Sequence, residues 1–128
     1  MKVLFDTHSF LWWDLDPGKL SPRAITVCND PAATLHLSVA SAWEIQIKIQ
    51  VGKLTLPRPL ADIIASQQAR NGLRILPATL DHILDIDQLP AIHKDPFDRL
   101  IVAQARVEGA VLVTPDPIVA QYPVTVEW

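Results

Sequence analysis

Cysteine is nearly absent: Cys28 is the only one in 128 residues. A disulfide within the chain is excluded, which suits a reducing compartment, and a cytoplasmic location is the expectation. No cysteine and histidine cluster shows zinc-site spacing. No apolar run reaches the roughly 20 residues that a membrane-crossing helix needs, so no membrane partner is expected. Lys2 opens the chain, but Asp6 interrupts any signal-like apolar segment behind it, and no secretion signal is expected. Polybasic runs are missing as well, and the net charge is −3. Binders of nucleic acid usually show a basic face, so the bulk charge argues mildly against one here. Repeats, low-complexity segments and linkers are all lacking. What is there, 49% hydrophobic and 20% charged residues, predicts one globular domain over residues 1–128.

The pattern alternates short apolar runs with segments of helical period. Lys2–Phe5, Leu35–Val39, Arg74–Leu76, Val111–Thr114 and Val124–Val126 read as strands. Thr7–Trp13 reads as a turn running into an apolar stretch. Ser21-Pro22 is a helix-start signal, and that helix should stop before Pro31. Leu60–Arg70, a short segment around Leu80, Ile83 and Leu84, Phe97–Glu108 and Pro117–Gln121 read as further helices. Such alternation predicts an α/β fold whose parallel sheet is covered on both faces. Ligands of such sheets bind beyond the carboxyl ends of the strands.

One segment resists assignment. Trp43, Ile45, Ile47, Ile49 and Val51 alternate with polar residues, as in a half-buried strand. Read as a helix, Trp43, Ile47 and Val51 form one ridge and Ile45 and Ile49 another, with Glu44 and Lys48 as an i,i+4 pair. Periodicity alone leaves the two readings open.

Four acids stand where an α/β chain would gather them. Asp6 closes the run Val3-Leu4-Phe5, and Asp116 follows Val111-Leu112-Val113-Thr114-Pro115. Glu44 and Asp98 each sit near the start of a candidate helix. Each has a bland reading: Ser41 to Glu44 matches a capping box, Asp95-Pro96 and Asp116-Pro117 match helix starts, and Asp6 suits a turn. Together they form a cluster that repels itself unless protons or a divalent cation hold it, which points to Mg²⁺- or Mn²⁺-assisted chemistry on phosphate. His8 and His93 are weaker candidates as ligands or bases, while His36 and His82 read as packing or surface residues. Trp12, Trp13 and Trp43 read as core or interface more readily than as base-stacking groups. Asp14, Asp16, Asp81, Asp85 and Asp87 read as solvated charges.

Four stretches together resemble the PIN-domain nucleases, and within them the VapC toxins of type II toxin–antitoxin systems. They are Phe5-Asp6-Thr7-His8, Ser38-Val39-Ala40-Ser41-Ala42-Trp43-Glu44-Ile45, His93-Lys94-Asp95-Pro96-Phe97-Asp98-Arg99 with the small-residue helix after it, and Val113-Thr114-Pro115-Asp116. The resemblance implies a PIN-like three-layer fold, a central parallel sheet of about five strands flanked by helices. It implies that Val39–Gln50 is a helix. It places the family's acidic quartet, catalytic and metal-holding, on Asp6, Glu44, Asp98 and Asp116, with Asp95 nearby but outside the motif position. Thr7, Ser41 and Thr114 match small hydroxyl positions that orient acids or hold water. The implied function is metal-dependent hydrolysis of an RNA phosphodiester leaving a 5′-phosphate. The implied partners are an RNA substrate, a cognate antitoxin whose tail sets a basic side chain among the acids, and a second copy of the chain, with the ridges around Ile45 and Ile49 as candidate interface.

Three rivals compete. A phosphatase or phosphoacceptor would use Asp6 as nucleophile, but such folds want a second nearby acid and position 8 is His8. A non-catalytic module would use the acids only to accept a basic peptide. A PIN nuclease of RNA processing would work without an antitoxin.

Overall fold

A computed structural model describes residues 1–128. Five strands, β1 (Lys2–Phe5), β2 (Thr34–Ser38), β3 (Arg74–Leu76), β4 (Val111–Val113) and β5 (Val126–Glu127), form one parallel sheet in the order β3-β2-β1-β4-β5. Around it lie α1 (Thr7–Leu15), α2 (Pro22–Cys28), α3 (Val39–Gln50), α4 (Leu60–Asn71), α5 (Leu80–Asp85) and α6 (Pro96–Glu108). The order gives the sheet a switch point. From β1 the chain winds through β2 to β3 on one side, then returns to lay β4 against the other edge of β1. Connections leaving β1 and β4 diverge there, opening a crevice beyond their carboxyl ends.

The central strands are apolar because both of their faces are covered. Val3 and Phe5 face a cluster with Phe10 of α1, Val27 of α2, Ile45 of α3 and Ile63 of α4. Leu4 faces the opposite cluster, with Ile101, Val102 and Ala105 of α6 and Tyr122. The register Val3↔Leu35, Phe5↔Leu37 and Phe5↔Val113 aligns the apolar runs across three strands. Helices α4 and α6 both stop at a glycine with positive φ, Gly72 and Gly109, where a side chain would be strained. No helix is long and apolar enough to cross a membrane.

Several expectations change. The apolar stretch after Asp6 is a nine-residue helix, and Asp6 is its N-cap rather than a turn residue. Segment 39–50 is a helix, but Ser41 and Glu44 make no capping box; Ser38 caps it instead, accepting from the Ala40 N–H, so Glu44 lies in its second turn. An isolated period-2 pattern cannot show this, because the packing of Ile45 against the first cluster selects the helix. The last strand is Val126–Glu127 rather than Val124–Val126, and residues 117–121 form only a 3₁₀ turn at Val119–Gln121. Asp14 is not solvated: its side chain is 3% exposed and accepts from Gln67 Nε2 at 2.7 Å. Asp85 is largely covered by its pairing with Arg106 at 2.9 Å. Ile45 is fully buried in the core and Ile49 packs against it, so the outward side is Trp43 of α3 and Val51, the C-terminal cap of that helix.

Candidate metal and nuclease site

The site starts from β1. Its parallel pairing ends at Phe5, and the Asp6 N–H still donates to the Val113 carbonyl, tying Asp6 to the end of β4. The Asp6 side chain then turns inward. Its Oδ1 accepts from the Ser9 N–H at 2.8 Å, capping α1, and its Oδ2 accepts from the Thr114 hydroxyl at 2.5 Å. The two bonds fix the carboxylate yet leave lone pairs on both oxygens free. Burial pushes the Asp6 carboxyl above its ordinary pKa, against the hydrogen bonds from Ser9 and Thr114 that favour the charged form.

Glu44 enters from α3. Its Oε1 accepts from the Thr7 hydroxyl at 2.6 Å, and Thr7 Oγ1 lies 3.1 Å from Ser41 Oγ. Its Oε2 pairs with Lys48 at 2.9 Å, one helical turn on. The α3 start is itself pinned to α6, because the buried Ser38 hydroxyl donates to Gln104.

Asp98 stands in the first turn of α6. Asp95 is the N-cap, accepting from the Phe97 and Asp98 N–H groups, with Pro96 at the first helical position. The Asp98 carboxyl is pushed up to about 7, first by burial and then by the charges of Asp95, Glu44 and Asp6, while His93 opposes the shift. Asp116 hangs in the loop after β4; its N–H donates to Thr114 Oγ1 and its Oδ1 accepts from the Ile118 N–H.

All four acids line one open cleft of about 300 Å³, joined by Asp95, Thr7, His8, Trp12, Lys48 and Pro115. Five carboxylates thus share a cleft with one lysine. Lys48, Trp12 and Asp95 had individually ordinary sequence signals, and only the i,i+4 spacing to Glu44 marked Lys48. His93 stands beside the cleft with Nε2 at 3.0 Å from Asp98 Oδ2 and 3.5 Å from Asp116 Oδ2. His82 is buried and structural: its Nδ1 accepts from the Thr79 N–H and its Nε2 meets Glu108 at 3.0 Å. His36 is half-buried within β2 and does not line the cleft.

The donor set fits a hard divalent cation: carboxylate oxygens from four segments, no thiolate, and a self-repelling charge that an ion would relieve. An oxygen-rich, electronegative cleft at a sheet switch point defines a candidate metal-dependent site acting on phosphate.

Comparison with known proteins agrees with this architecture. The family profile of the PIN domain matches residues 3–124, and the chain belongs to the PIN-domain family. It is similar to Ribonuclease VapC22 of Mycobacterium tuberculosis (strain ATCC 25618 / H37Rv), 30% identical over 115 residues, 89% of this chain and 86% of that protein. Ribonuclease VapC16 of the same organism is 38% identical over 56 residues, 44% of this chain and 38% of that protein. Among solved structures, VapBC2 from Rickettsia felis, bound to a DNA fragment from its promoter, superposes with a TM-score of 0.70 at 17% identity, covering 98% of this chain and 97% of the other. FitAcB from Neisseria gonorrhoeae gives 0.55 at 17%, covering 97% and 95%. At that identity the two structures speak for the fold alone.

Proposed function

We propose that this protein is a metal-dependent endoribonuclease and the toxin of a toxin–antitoxin pair. The carrying observation is the convergence of Asp6, Glu44, Asp98 and Asp116 in one cleft beyond β1 and β4. The similarity to VapC ribonucleases gives the reaction class. Asp6, Glu44, Asp98 and Asp116 would hold Mg²⁺ or Mn²⁺. When bound, such an ion lowers the pKa of an attacking water and offsets charge on the phosphate oxygens.

The chain's own groups do the rest. Thr114 and Ser9 hold Asp6 in one rotamer, and Thr7 does the same for Glu44. Lys48 offers the only ammonium lining the cleft, close enough to meet an anionic backbone as well as Glu44. The Thr114 hydroxyl also receives the Asp116 N–H, so one side chain couples the acids that follow β1 and β4. The acidic cleft suits a basic side chain from a cognate antitoxin. A homodimer belongs to the same reading, with Trp43 of α3 and Val51 at its C-terminal cap as the exposed side. A single domain and a cytoplasmic location, consistent with a lone buried thiol, complete it.

The test is cleavage of a pool of structured RNAs by purified protein with Mn²⁺, with EDTA and with Asp6→Asn. Metal-dependent cutting that Asp6→Asn lowers by roughly 100-fold or more is the expected result. Protein that is folded yet neither cuts RNA nor binds Mn²⁺ would leave the binding-module reading. Trapping of an acyl phosphate analogue on Asp6 would favour the phosphatase reading.

A further inference from the structure

His93 lies in the loop ahead of α6, with its main-chain groups and ring Nδ1 hydrogen-bonded and Nε2 close to two carboxylates. Its N–H donates to the Tyr122 hydroxyl at 2.7 Å, and its carbonyl accepts from the Arg99 guanidinium at 3.4 Å. Ring Nδ1 accepts from the Asp95 N–H at 3.1 Å. Ring Nε2 faces Asp98 and Asp116 together. The anchors are firm: Tyr122 is buried in the second core cluster, and Asp95 is held as the cap of α6.

His93, Asp98 and Asp116 have the outline of a three-ligand metal site, since their donor atoms all lie within 4.8 Å of one another. The hydrogen bonding of the ring argues against His93 as a ligand. A ring nitrogen that accepts from an N–H has its lone pair committed, so in a neutral imidazole the proton sits on the other nitrogen. That nitrogen is Nε2, the one nearest the acids. Ligation through Nε2 would require the proton to sit on Nδ1 instead, donor against donor with the Asp95 main chain.

We propose that His93 is a positioning residue: with Nδ1 engaged as an acceptor, its Nε2–H edge holds Asp98 and Asp116 side by side without ligating the ion they bind. The proposal rests on the metal-site reading above and adds what assembles the site. Asp98 and Asp116 belong to different segments, α6 and the loop after β4, and two approaching carboxylates repel. The electropositive Nε2–H edge of the ring, within 3.5 Å of both carboxylates, offsets that repulsion before any ion arrives. Groups that orient metal ligands in this way commonly change metal affinity by about 10- to 100-fold when removed.

Two measurements test it. Long-range ¹H–¹⁵N NMR of the unaltered, metal-free protein reads the tautomer directly; a protonated Nε2 and a bare Nδ1 at His93 are expected, and a protonated Nδ1 overturns the proposal. Calorimetric Mn²⁺ titration then compares wild type with His93→Ala, His93→Gln and Tyr122→Phe. We expect His93→Ala to weaken Mn²⁺ binding by about 10-fold or more, and His93→Gln, which keeps an N–H donor, to recover part of the loss. Tyr122→Phe, which removes only the oxygen that anchors the loop, should show a smaller loss. Electron spin-echo spectra of the Mn²⁺-loaded protein should show no coupling from a coordinated imidazole nitrogen. Such a coupling, or wild-type affinity in folded His93→Ala, overturns the proposal. Protein that binds Mn²⁺ as described but cuts no RNA would overturn the nuclease reading and leave this one standing; protein that binds no Mn²⁺ overturns both.

Discussion

At the scale of single residues, the site is costly to the fold that carries it. Asp98 shows this best, because burial and three neighbouring acids push its carboxyl to about 7 from 3.8. A raised folded-state pKa means that the folded protein keeps a proton which the unfolded chain releases. The resulting stabilisation is fully present below about pH 4 and is lost as pH rises through about 7. At pH 8 the ionised Asp98 is therefore a liability in the metal-free protein. Asp98→Asn removes that charge and still offers the His93 side an acceptor oxygen. In EDTA it should be more stable than wild type at pH 8, by on the order of 1–4 kcal/mol, with the gap closing towards pH 4. Urea titrations at pH 4, 6 and 8 measure it. Comparing the two proteins at each pH cancels the contributions of Glu108 and Glu127, whose partners His82 and Arg23 hold them below the usual carboxylate range. Added Mn²⁺ should reverse the order by stabilising wild type, since an ion that binds only the folded state adds to its stability. Equal stability of the two at pH 8 would mean that Asp98 carries no such strain.

At the scale of elements, α3 does two jobs with adjacent residues. Ile45 is fully buried against the first core cluster while Glu44, one position earlier, points its carboxylate to Thr7 and Lys48. The helical turn of 100° per residue allows this division, and a strand would have separated the two onto opposite faces. Ile45→Ala should cost about 2–5 kcal/mol. Val51→Ala, at a position 60% exposed on the other ridge, should stay within about 0.5 kcal/mol. Denaturant midpoints decide the matter; similar losses for both would put the wrong ridge in the core. The same helix shows where sequence reading stops. Its alternation of apolar and polar residues matched a strand as well as a helix, and the match of Ser41 and Glu44 to a capping box pointed to a start three residues too late. The true cap, Ser38, is the last residue of β2 and donates its hydroxyl to Gln104, 66 residues away. No local pattern carries a contact of that range.

At the scale of the molecule, the acids lie at a seam. β1 and β4 are neighbours in the sheet although some 105 residues separate them in the chain, and Asp6 is bonded across that seam through Val113 and Thr114. The two core clusters share β1, with Val3 and Phe5 in one and Leu4 in the other. Loosening either face therefore exposes the same strand, and the whole chain should unfold as one unit. Tryptophan fluorescence, to which Trp12, Trp13 and Trp128 beside the first cluster contribute, and far-UV circular dichroism, which sees α6 as well, should trace coincident urea transitions. Separated transitions would show two independent units.

The sequence by itself determined most of the strand and helix alternation, the parallel sheet it implies, and the places of Asp6, Asp98 and Asp116 at strand ends and a helix start. Those features are local: apolar period, Pro-Gly punctuation, and Asp95-Pro96 as a helix start are written in a few consecutive residues. The tertiary structure alone decided which residues with bland readings also line the cleft. Asp6 is both an N-cap and a member of the cleft, and Asp95, whose side chain caps α6, fixes the His93 ring through its main-chain N–H. It also decided that Asp14 is buried and that Tyr122 anchors His93. These depend on atoms brought together from distant segments, and the free energy of such encounters comes from packing both faces of one sheet rather than from any residue's own neighbours.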